Sequence, residues 1–230
     1  MNLTYYGLSD IGLARPSNED AWVAHPDIGF FAIADGIGGK KGGAIAAQES
    51  LDYLSRLMKK LAGEPMDRMM SLQEAIEQTN QWVYQIGCSS ELLHGMGSTL
   101  CCLYWTPTII ICAHVGDSRI YRFRNGTLER LTVDHSQPSE SPLRRAQVLT
   151  RALGVPGKAN PELSLCTALP NDLFILCSDG LSTPLSDLEI EKIFIDTQDL
   201  EKASQQLILQ AKLKGGRDNI TLLAVQCTSI

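Results

Sequence analysis

Hydrophobic positions along the chain follow two different patterns. Short apolar runs rich in β-branched and aromatic residues, bounded by turn residues, predict strands. These runs cover residues 3–9, 21–26, 29–35, 97–105, 109–117, 119–132, 173–179 and 219–227. Asn125-Gly126 lies between two strand-like halves of one run and predicts a tight hairpin turn there.

Between the strand-like runs, apolar residues recur every third or fourth position, which is typical of amphipathic helices. The predicted helices are Ala44–Leu61, Met66–Ile86, Asp187–Phe194 and Leu200–Lys214. Several strands follow one another without an intervening helix, which favours antiparallel pairing. The order of strands, helix pair, strands, helix pair and strand predicts an α+β fold in which two sheets pack together with helices outside. Without a linker or repeat, we expect one domain over residues 1–230, with 135–147 its most loop-like part.

Composition disfavours some classes of binding partner and indicates a cellular compartment. The net charge of −6 disfavours binding to nucleic acid or to a membrane surface, since both need basic patches. The N-terminus lacks a signal-peptide pattern, and the apolar runs are too short to span a bilayer. The seven cysteines include no C-x-x-C pair, and most lie in apolar runs. We therefore expect buried free thiols rather than disulfides or a zinc site, and a cytoplasmic location.

Six acidic residues stand where apolar strands begin or end. They are Glu19, Asp20, Asp35, Asp117, Asp179 and Asp218. If these carboxylates converge, their mutual repulsion requires a divalent cation, and ligation by oxygen alone favours Mg²⁺ or Mn²⁺ over zinc. Each Asp-Gly pair taken singly is more often a plain turn. The carboxylates indicate a metal site only as a set.

Eight motifs extend this pattern over nearly the whole chain. In order from Asp10 to Thr221 they are "DIGLARPSNEDA", "ADGIGG", "GMGSTL", "HVGDSRIYR", "LTVDHS", "LTRALG", "LCSDGLS" and "DNIT". Together they resemble the type-2C, metal-dependent protein serine/threonine phosphatases (PPM family) in their compact bacterial form. The resemblance implies a four-layer α-β-β-α fold: a β-sandwich of two antiparallel sheets flanked by helix pairs.

The resemblance also implies two Mn²⁺ or Mg²⁺ ions and assigns their ligands. Asp35 would bridge both ions, and the Gly36 carbonyl would bind one of them. Asp179 and Asp218 would complete the site of the other ion. The implied reaction is direct hydrolysis by a metal-activated water, without a phosphoenzyme.

Three residues near the N-terminus receive roles around the ions. Glu19 and Asp20 would hold metal-bound waters, and Arg15 matches the arginine that clamps the substrate phosphate. A guanidinium suits phosphate because it can donate two parallel hydrogen bonds.

Two departures from the family pattern qualify these expectations. Bacterial members often bind a third ion through the aspartate of "GDSR", here Asp117, and an acidic residue at the position of Thr183. With threonine there, a third ion is doubtful. The flap that usually precedes "LTRALG" is shortened to the region around 135–148, where Pro138 and Pro142 discourage a continuous helix.

The resulting prediction is a monomeric, metal-dependent hydrolase of phosphoserine and phosphothreonine in proteins that opposes a bacterial serine/threonine kinase. The alternative is a catalytically weak, phosphatase-like module that binds phosphoproteins as a regulator. A nucleotide-binding enzyme is disfavoured because the Gly-rich loop completes neither G-x-G-x-x-G nor a P-loop motif. The net charge disfavours a phosphodiesterase or nuclease.

Overall fold

The computed structural model describes residues 2–38, 42–62, 67–106, 109–139 and 147–229. The strands in these ranges are β1 (Asn2–Asp10), β2 (Asp20–His25), β3 (Phe30–Ile37), β4 (Gly97–Ser98), β5 (Leu100–Trp105), β6 (Ile110–Val115), β7 (Arg119–Arg124), β8 (Thr127–Arg130), β9 (Ser136–Pro138), β10 (Gln147–Leu149), β11 (Glu162–Cys166), β12 (Leu173–Cys177) and β13 (Ile220–Ser229). The helices are α1 (Gly42–Leu61), α2 (Arg68–Cys88), α3 (Asp179–Ser182), α4 (Asp187–Asp196) and α5 (Leu200–Leu213).

The longer strands form two sheets. The first has the order β1-β13-β12-β7-β8, and the second has the order β11-β6-β5-β3-β2, with β4 pairing with the end of β3. Every strand pair within both sheets is antiparallel. The hairpin predicted at Asn125-Gly126 joins β7 to β8, with Arg124 opposite Thr127.

The two sheets pack face to face through large apolar side chains. Phe31 and Leu103 from the second sheet join Phe174 and Val225 from the first in one fully buried cluster. Trp105 meets Phe174 across the interface edge to face, with ring centroids 5.2 Å apart. Aromatic pairs prefer this arrangement, and it fixes how the sheets face each other.

Helices cover the outer face of each sheet. Leu51 and Leu54 of α1 pack with Ile76 of α2 onto the second sheet. Leu207 of α5 and Ile190 of α4 pack in the same way onto the first sheet. The fully buried side chains on each helix face contribute about 1.5–3 kcal/mol apiece to stability. The predicted four-layer α-β-β-α sandwich is confirmed.

Helix boundaries differ from the prediction by a few residues. Helix α2 begins at Arg68 because the carboxylate of Asp67 accepts hydrogen bonds from the first free backbone N–H groups, at 3.0 and 3.2 Å. The predicted start at Met66 lies outside the described residues. The helix continues past Ile86 through the buried Gly87 to Cys88, and it ends where the N–H of Ser89 donates to the carbonyl of Ile86.

The sequence prediction missed three short strands. Strand β11 lies at the edge of the second sheet and, among the described strands, pairs only with β6. Three of its five residues are exposed, and it lacks a strong apolar run. Strands β9 and β10 pair with each other over three residues, so the prediction that 135–147 is loop was wrong at both ends. Residues 140–146 of the predicted flap lie outside the described ranges.

None of the seven cysteines, all of them within the described residues, forms a disulfide bond. Five of them are buried, Cys166 is half-buried and Cys88 is exposed at the end of α2. The prediction of free thiols is confirmed. In the part of the chain that the structure describes, no helix combines the length and apolar character needed to cross a membrane.

Candidate functional site

One cleft opens where corresponding ends of the two sheets meet. Its volume is about 800 Å³. Seven of the residues singled out in the sequence line it, namely Arg15, Glu19, Asp35, Gly36, Asp117, Asp179 and Asp218. Asp20 is the cross-strand partner of Asp35 on β2. The structure thus brings together the carboxylates that the sequence could place only at separate strand ends.

The backbone of Asp35 is held by the residues between β4 and β5. Its N–H donates to the Thr99 hydroxyl at 3.0 Å, and its carbonyl accepts from the Thr99 N–H at 2.8 Å and the Ser98 hydroxyl at 3.0 Å. These contacts fix the backbone and leave the Asp35 carboxylate directed at the cleft. Burial, then repulsion from Asp20 and Asp179, raises its pKa well above the ordinary value.

Gly36 is required by close approach rather than by an unusual φ angle. A Cβ atom there would lie 2.0 Å from the carbonyl oxygen of Gly43 in the first turn of α1. The absence of side chains on both residues lets β3 and α1 touch. It also brings the Glu19 carboxylate against Gly43, beside the positive N-terminal end of α1.

Asp20 lies behind the cleft and is only partly satisfied. Its Oδ2 accepts a hydrogen bond from the Ser178 hydroxyl at 2.8 Å, and that hydroxyl accepts from the Thr221 N–H at 3.0 Å. Its Oδ1 is buried and has no hydrogen-bond partner among the described residues. Burial raises the pKa of Asp20 to about 6, although the two nearby hydroxyls oppose the shift.

Asp179 is the first residue of α3, directly after β12. Its Oδ1 is also buried without a hydrogen-bond partner in the described part of the chain. Burial, followed by repulsion from Asp117 and Asp218, raises the pKa of Asp179 to about 7. A buried carboxylate oxygen without a donor is costly, so both orphaned oxygens indicate that a cation belongs beside them.

Arg15 contacts one of the predicted metal ligands. Its Nη2 donates to Oδ2 of Asp218 at 2.7 Å, while Oδ1 of Asp218 accepts the N–H of Asn219 at 2.8 Å. About half of the Arg15 side chain is exposed to the cleft (49%). The guanidinium therefore keeps donors available for a ligand that enters from solvent.

Asn219 positions part of the candidate site and was missed by the sequence reasoning. Its Nδ2 donates to the carbonyls of Ile11 and Ser17 at 2.9 Å, and its Oδ1 accepts the N–H of Glu19 at 2.8 Å. This one buried amide holds the whole segment that carries Arg15 and Glu19. The available signal was a polar residue placed between Asp218 and the apolar start of β13.

The donor set suits hard divalent cations. It consists of carboxylates and the Gly36 carbonyl, which are oxygen ligands of the kind that Mg²⁺ and Mn²⁺ prefer. The raised pKa values, with burial as their largest cause and carboxylate repulsion adding to it, describe a site that lacks compensating positive charge. The residues fit two bound ions, while the role of each ligand stays a prediction.

Of the two positions that family members use to bind a third ion, Asp117 and Thr183, only Asp117 lines the cleft. Burial raises the pKa of Asp117. Thr183 instead follows the end of α3, where its N–H donates to the Asp179 carbonyl at 2.8 Å and its side chain is exposed. A second protein ligand for a third ion would therefore have to come from a residue other than Thr183.

A second cluster satisfies the distances of a metal site but not its electrostatics. Ligand atoms of His114, His135 and Glu162 lie within 4.8 Å of one another. However, Nη1 of Arg151 lies 3.1 Å from Nε2 of His135, and the two imidazoles are stacked with centroids 4.3 Å apart. A guanidinium in this place repels a cation. The ring of His135 instead accepts the N–H of Gly116, so it supports the turn before Asp117.

Comparisons with known proteins agree with this site. The profile of the protein phosphatase 2C family matches residues 15–215. The chain belongs to this family. The serine/threonine phosphatase stp of Listeria welshimeri is 32% identical over 95% of this chain and 93% of that protein.

Solved structures extend the likeness to three dimensions. The serine/threonine phosphatase PstP/Ppp of Mycobacterium tuberculosis superposes with a TM-score of 0.86, at 30% identity, over 99% of both chains. The catalytic domain of PstP in complex with two manganese ions gives a TM-score of 0.84 at 30% identity, over 97% of both chains. The predicted family, fold and activity, a metal-dependent protein phosphatase, are confirmed.

Proposed function

We propose that this chain hydrolyses phosphoserine and phosphothreonine in proteins with two Mn²⁺ or Mg²⁺ ions held by Asp35, Gly36, Asp179 and Asp218. The observation that carries the proposal is the convergence of partly buried carboxylates, two of them with a buried and unpaired oxygen, around one open cleft. It is supported by relatives named as serine/threonine phosphatases and by the two manganese ions in the PstP complex.

The residues around the ions divide the work of hydrolysis. When bound, the two cations supply the Lewis acidity that activates water and offsets phosphate charge. Arg15 would donate its free guanidinium hydrogens to the phosphate oxygens and hold the phosphorus in place. Glu19 would accept hydrogen bonds from waters in the cleft and orient them, and the unpaired Oδ1 of Asp20 would accept one from a water behind the residues that line the cleft. Asp117 would contribute a carboxylate to a third, weaker cation position.

Beyond the reaction, we propose a cytoplasmic, monomeric signalling enzyme that resets the targets of a serine/threonine kinase. Its substrate is a phosphate monoester on a hydroxyl side chain, so a protein kinase must supply it. The free thiols fit a reducing compartment.

The proposal is tested by phosphate release from a phosphothreonine peptide in the presence of Mn²⁺, Mg²⁺ or EDTA. We expect turnover with Mn²⁺ or Mg²⁺, none with EDTA, and a loss of at least a hundredfold in Asp179→Asn. Asp52→Asn, an exposed aspartate on α1 outside the cleft, is the matched control and should retain full activity.

The same assay distinguishes the alternative of a binding module. A folded wild type that binds the phosphopeptide but releases no phosphate with any divalent ion would overturn catalysis and favour the regulator. Full activity in Asp179→Asn would overturn the assignment of the site.

A further inference from the structure

The cleft continues beyond the carboxylates along a wall without formal charges. Helix α2 contributes Tyr84 and Cys88, one turn apart and both exposed, and the segment Leu153–Pro156, which packs against α2, contributes the rest of the wall. Among the described residues that line this extension, none is Lys, Arg, Asp or Glu. It is therefore chemically distinct from the acidic end of the same cleft.

A buried asparagine on α2 holds the second part of this wall. The Oδ1 of Asn80 accepts the N–H groups of Gly154 and Val155 at 2.8 and 3.0 Å. Its Nδ2 donates to the carbonyls of Val155 and Gly157 at 3.2 and 3.0 Å. Asn80 is fully buried, so its entire hydrogen-bonding capacity is used on one loop.

Two further contacts make the wall rigid. Gly154 adopts a φ of +85° and packs closely on Val83 of α2. A Cβ atom added to Gly154 would lie 2.9 Å from Cγ1 of Val83. The carboxylate of Glu77 accepts the N–H groups of Ala159 and Asn160 at 2.9 and 3.0 Å. A surface held in this way is formed before the ligand arrives, which lowers the entropy lost on binding.

We propose that this wall binds an apolar side chain of the phosphoprotein substrate within two residues of the phosphorylated serine or threonine, with Tyr84 and Val155 selecting it. The inference rests on the proposed function. Arg15 fixes the phosphate at the acidic end, and an extended peptide advances about 3.3 Å per residue, so its neighbouring residues must lie along the same cleft. A cleft of about 800 Å³ is larger than one phosphorylated side chain requires.

The chemistry of the wall determines the preference. An apolar side chain there gives up water for Tyr84, Val155 and Pro156, whereas a charged side chain loses hydration and gains no opposite charge. We expect kcat/KM to fall roughly tenfold or more when the preferred apolar residue is replaced by Asp or Lys.

The test uses phosphothreonine peptides in which each position from −2 to +2 carries Leu, Asp or Lys in turn. The wild type is compared with Val155→Asp and Tyr84→Lys, and each variant is scored by the ratio of its kcat/KM values for matched peptides. This internal ratio is unaffected by partial loss of folded protein. Leu188→Asp, on the exposed face of α4 outside the cleft, is the control and should keep the wild-type ratios.

We expect the wild type to prefer Leu at one position. At that position Val155→Asp should shift preference to Lys, and Tyr84→Lys should shift it to Asp. Equal rates for all three residues, or variants that keep the wild-type ratios, would overturn the proposal. Hydrolysis of p-nitrophenyl phosphate with Mn²⁺ by the wild type separates failure of the wall proposal from failure of the proposed function. If this hydrolysis occurs while peptide selectivity is absent, only the proposed role of the wall is refuted. If neither substrate is hydrolysed, the proposed function fails as well.

Discussion

Arg15 and Asp218 form an ion pair, 2.7 Å from Nη2 to Oδ2, between a residue expected to bind phosphate and one expected to bind metal. The pair joins positions 203 residues apart in the sequence. A cation held by Asp218 would compete with Arg15 for this carboxylate and would leave the guanidinium available for phosphate. We therefore expect metal binding and phosphate binding to be coupled through this contact.

Arg15→Ala should weaken substrate use without weakening the fold. A charge-assisted hydrogen bond to phosphate is worth about 1.5–3 kcal/mol, so kcat/KM should fall roughly 10- to 150-fold. Arg15→Lys should recover only part of this loss because it keeps the charge but not the fork of donors. Steady-state kinetics on a phosphothreonine peptide checks both variants, with Arg56→Ala on α1 as control. Unchanged kcat/KM in Arg15→Ala would remove Arg15 from the site.

Asp179→Asn should stabilise the metal-free protein at neutral pH. The pKa of Asp179 is raised from 3.8 to about 7 in the folded state, so the folded chain binds more protons than the unfolded chain between these values. Stability is therefore lost as pH rises from about 4 to about 7. In EDTA, the Tm of the wild type should fall more steeply across this window than that of the variant.

Divalent ions should reverse this order. At a free Mn²⁺ concentration of 100 times Kd, the wild type should gain roughly 5–10 °C in Tm at pH 7.5, and Asp179→Asn should gain much less. Differential scanning fluorimetry with and without Mn²⁺ measures both effects. Equal gains in the two proteins would show that Asp179 holds no ion.

Asn219→Ala should damage stability and activity together. Its loss leaves three partly buried backbone groups without their hydrogen-bond partner, at about 1 kcal/mol each, and releases the segment that carries Arg15 and Glu19. Leu207→Ala, in the core beneath α5, is a control that costs a similar 2–5 kcal/mol. Below the Tm of both variants, only Asn219→Ala should show a lower kcat/KM. Equal kcat/KM values would show that Asn219 has only a structural role.

Gly36→Ala should abolish the response to metal. The added methyl would meet a backbone carbonyl at 2.0 Å, and neither β3 nor α1 can move away without displacing Asp35. Gly126→Ala in the β7–β8 hairpin is a control for a glycine-to-alanine change far from the site, with a backbone penalty of about 1–2 kcal/mol at its positive φ and no steric clash. Calorimetric titration with Mn²⁺ should show normal binding by Gly126→Ala and none by Gly36→Ala. Normal binding by both would mean that the contact with Gly43 is dispensable.

Local sequence patterns predicted most of the fold because its larger elements have strong periodicity. Strands β3, β5, β6 and β12 are continuous apolar runs, and α1 and α5 each present one apolar face. The edge strand β11 escaped prediction because Glu162–Cys166 is mostly exposed and is a strand only through its pairing with β6. Such pairing depends on tertiary structure, which local composition does not record.

Part of the candidate site was also predictable from the sequence. Aspartates that end apolar strands before a glycine, such as Asp35 and Asp179, are visible as a local pattern. The Asn219 amide that holds the segment of Glu19, and the ion pair of Arg15, depend on residues about 200 positions apart. No local signal specifies such contacts, so they became apparent only in the folded chain.

We expect the cleft to hold two divalent ions between its carboxylates. Anomalous diffraction near the manganese absorption edge, on crystals grown with Mn²⁺, would locate them. We predict two strong peaks in contact with Asp35, one of them also touching Asp179 and Asp218. An empty cleft at saturating Mn²⁺, or peaks only at His114, His135 and Glu162, would contradict the account.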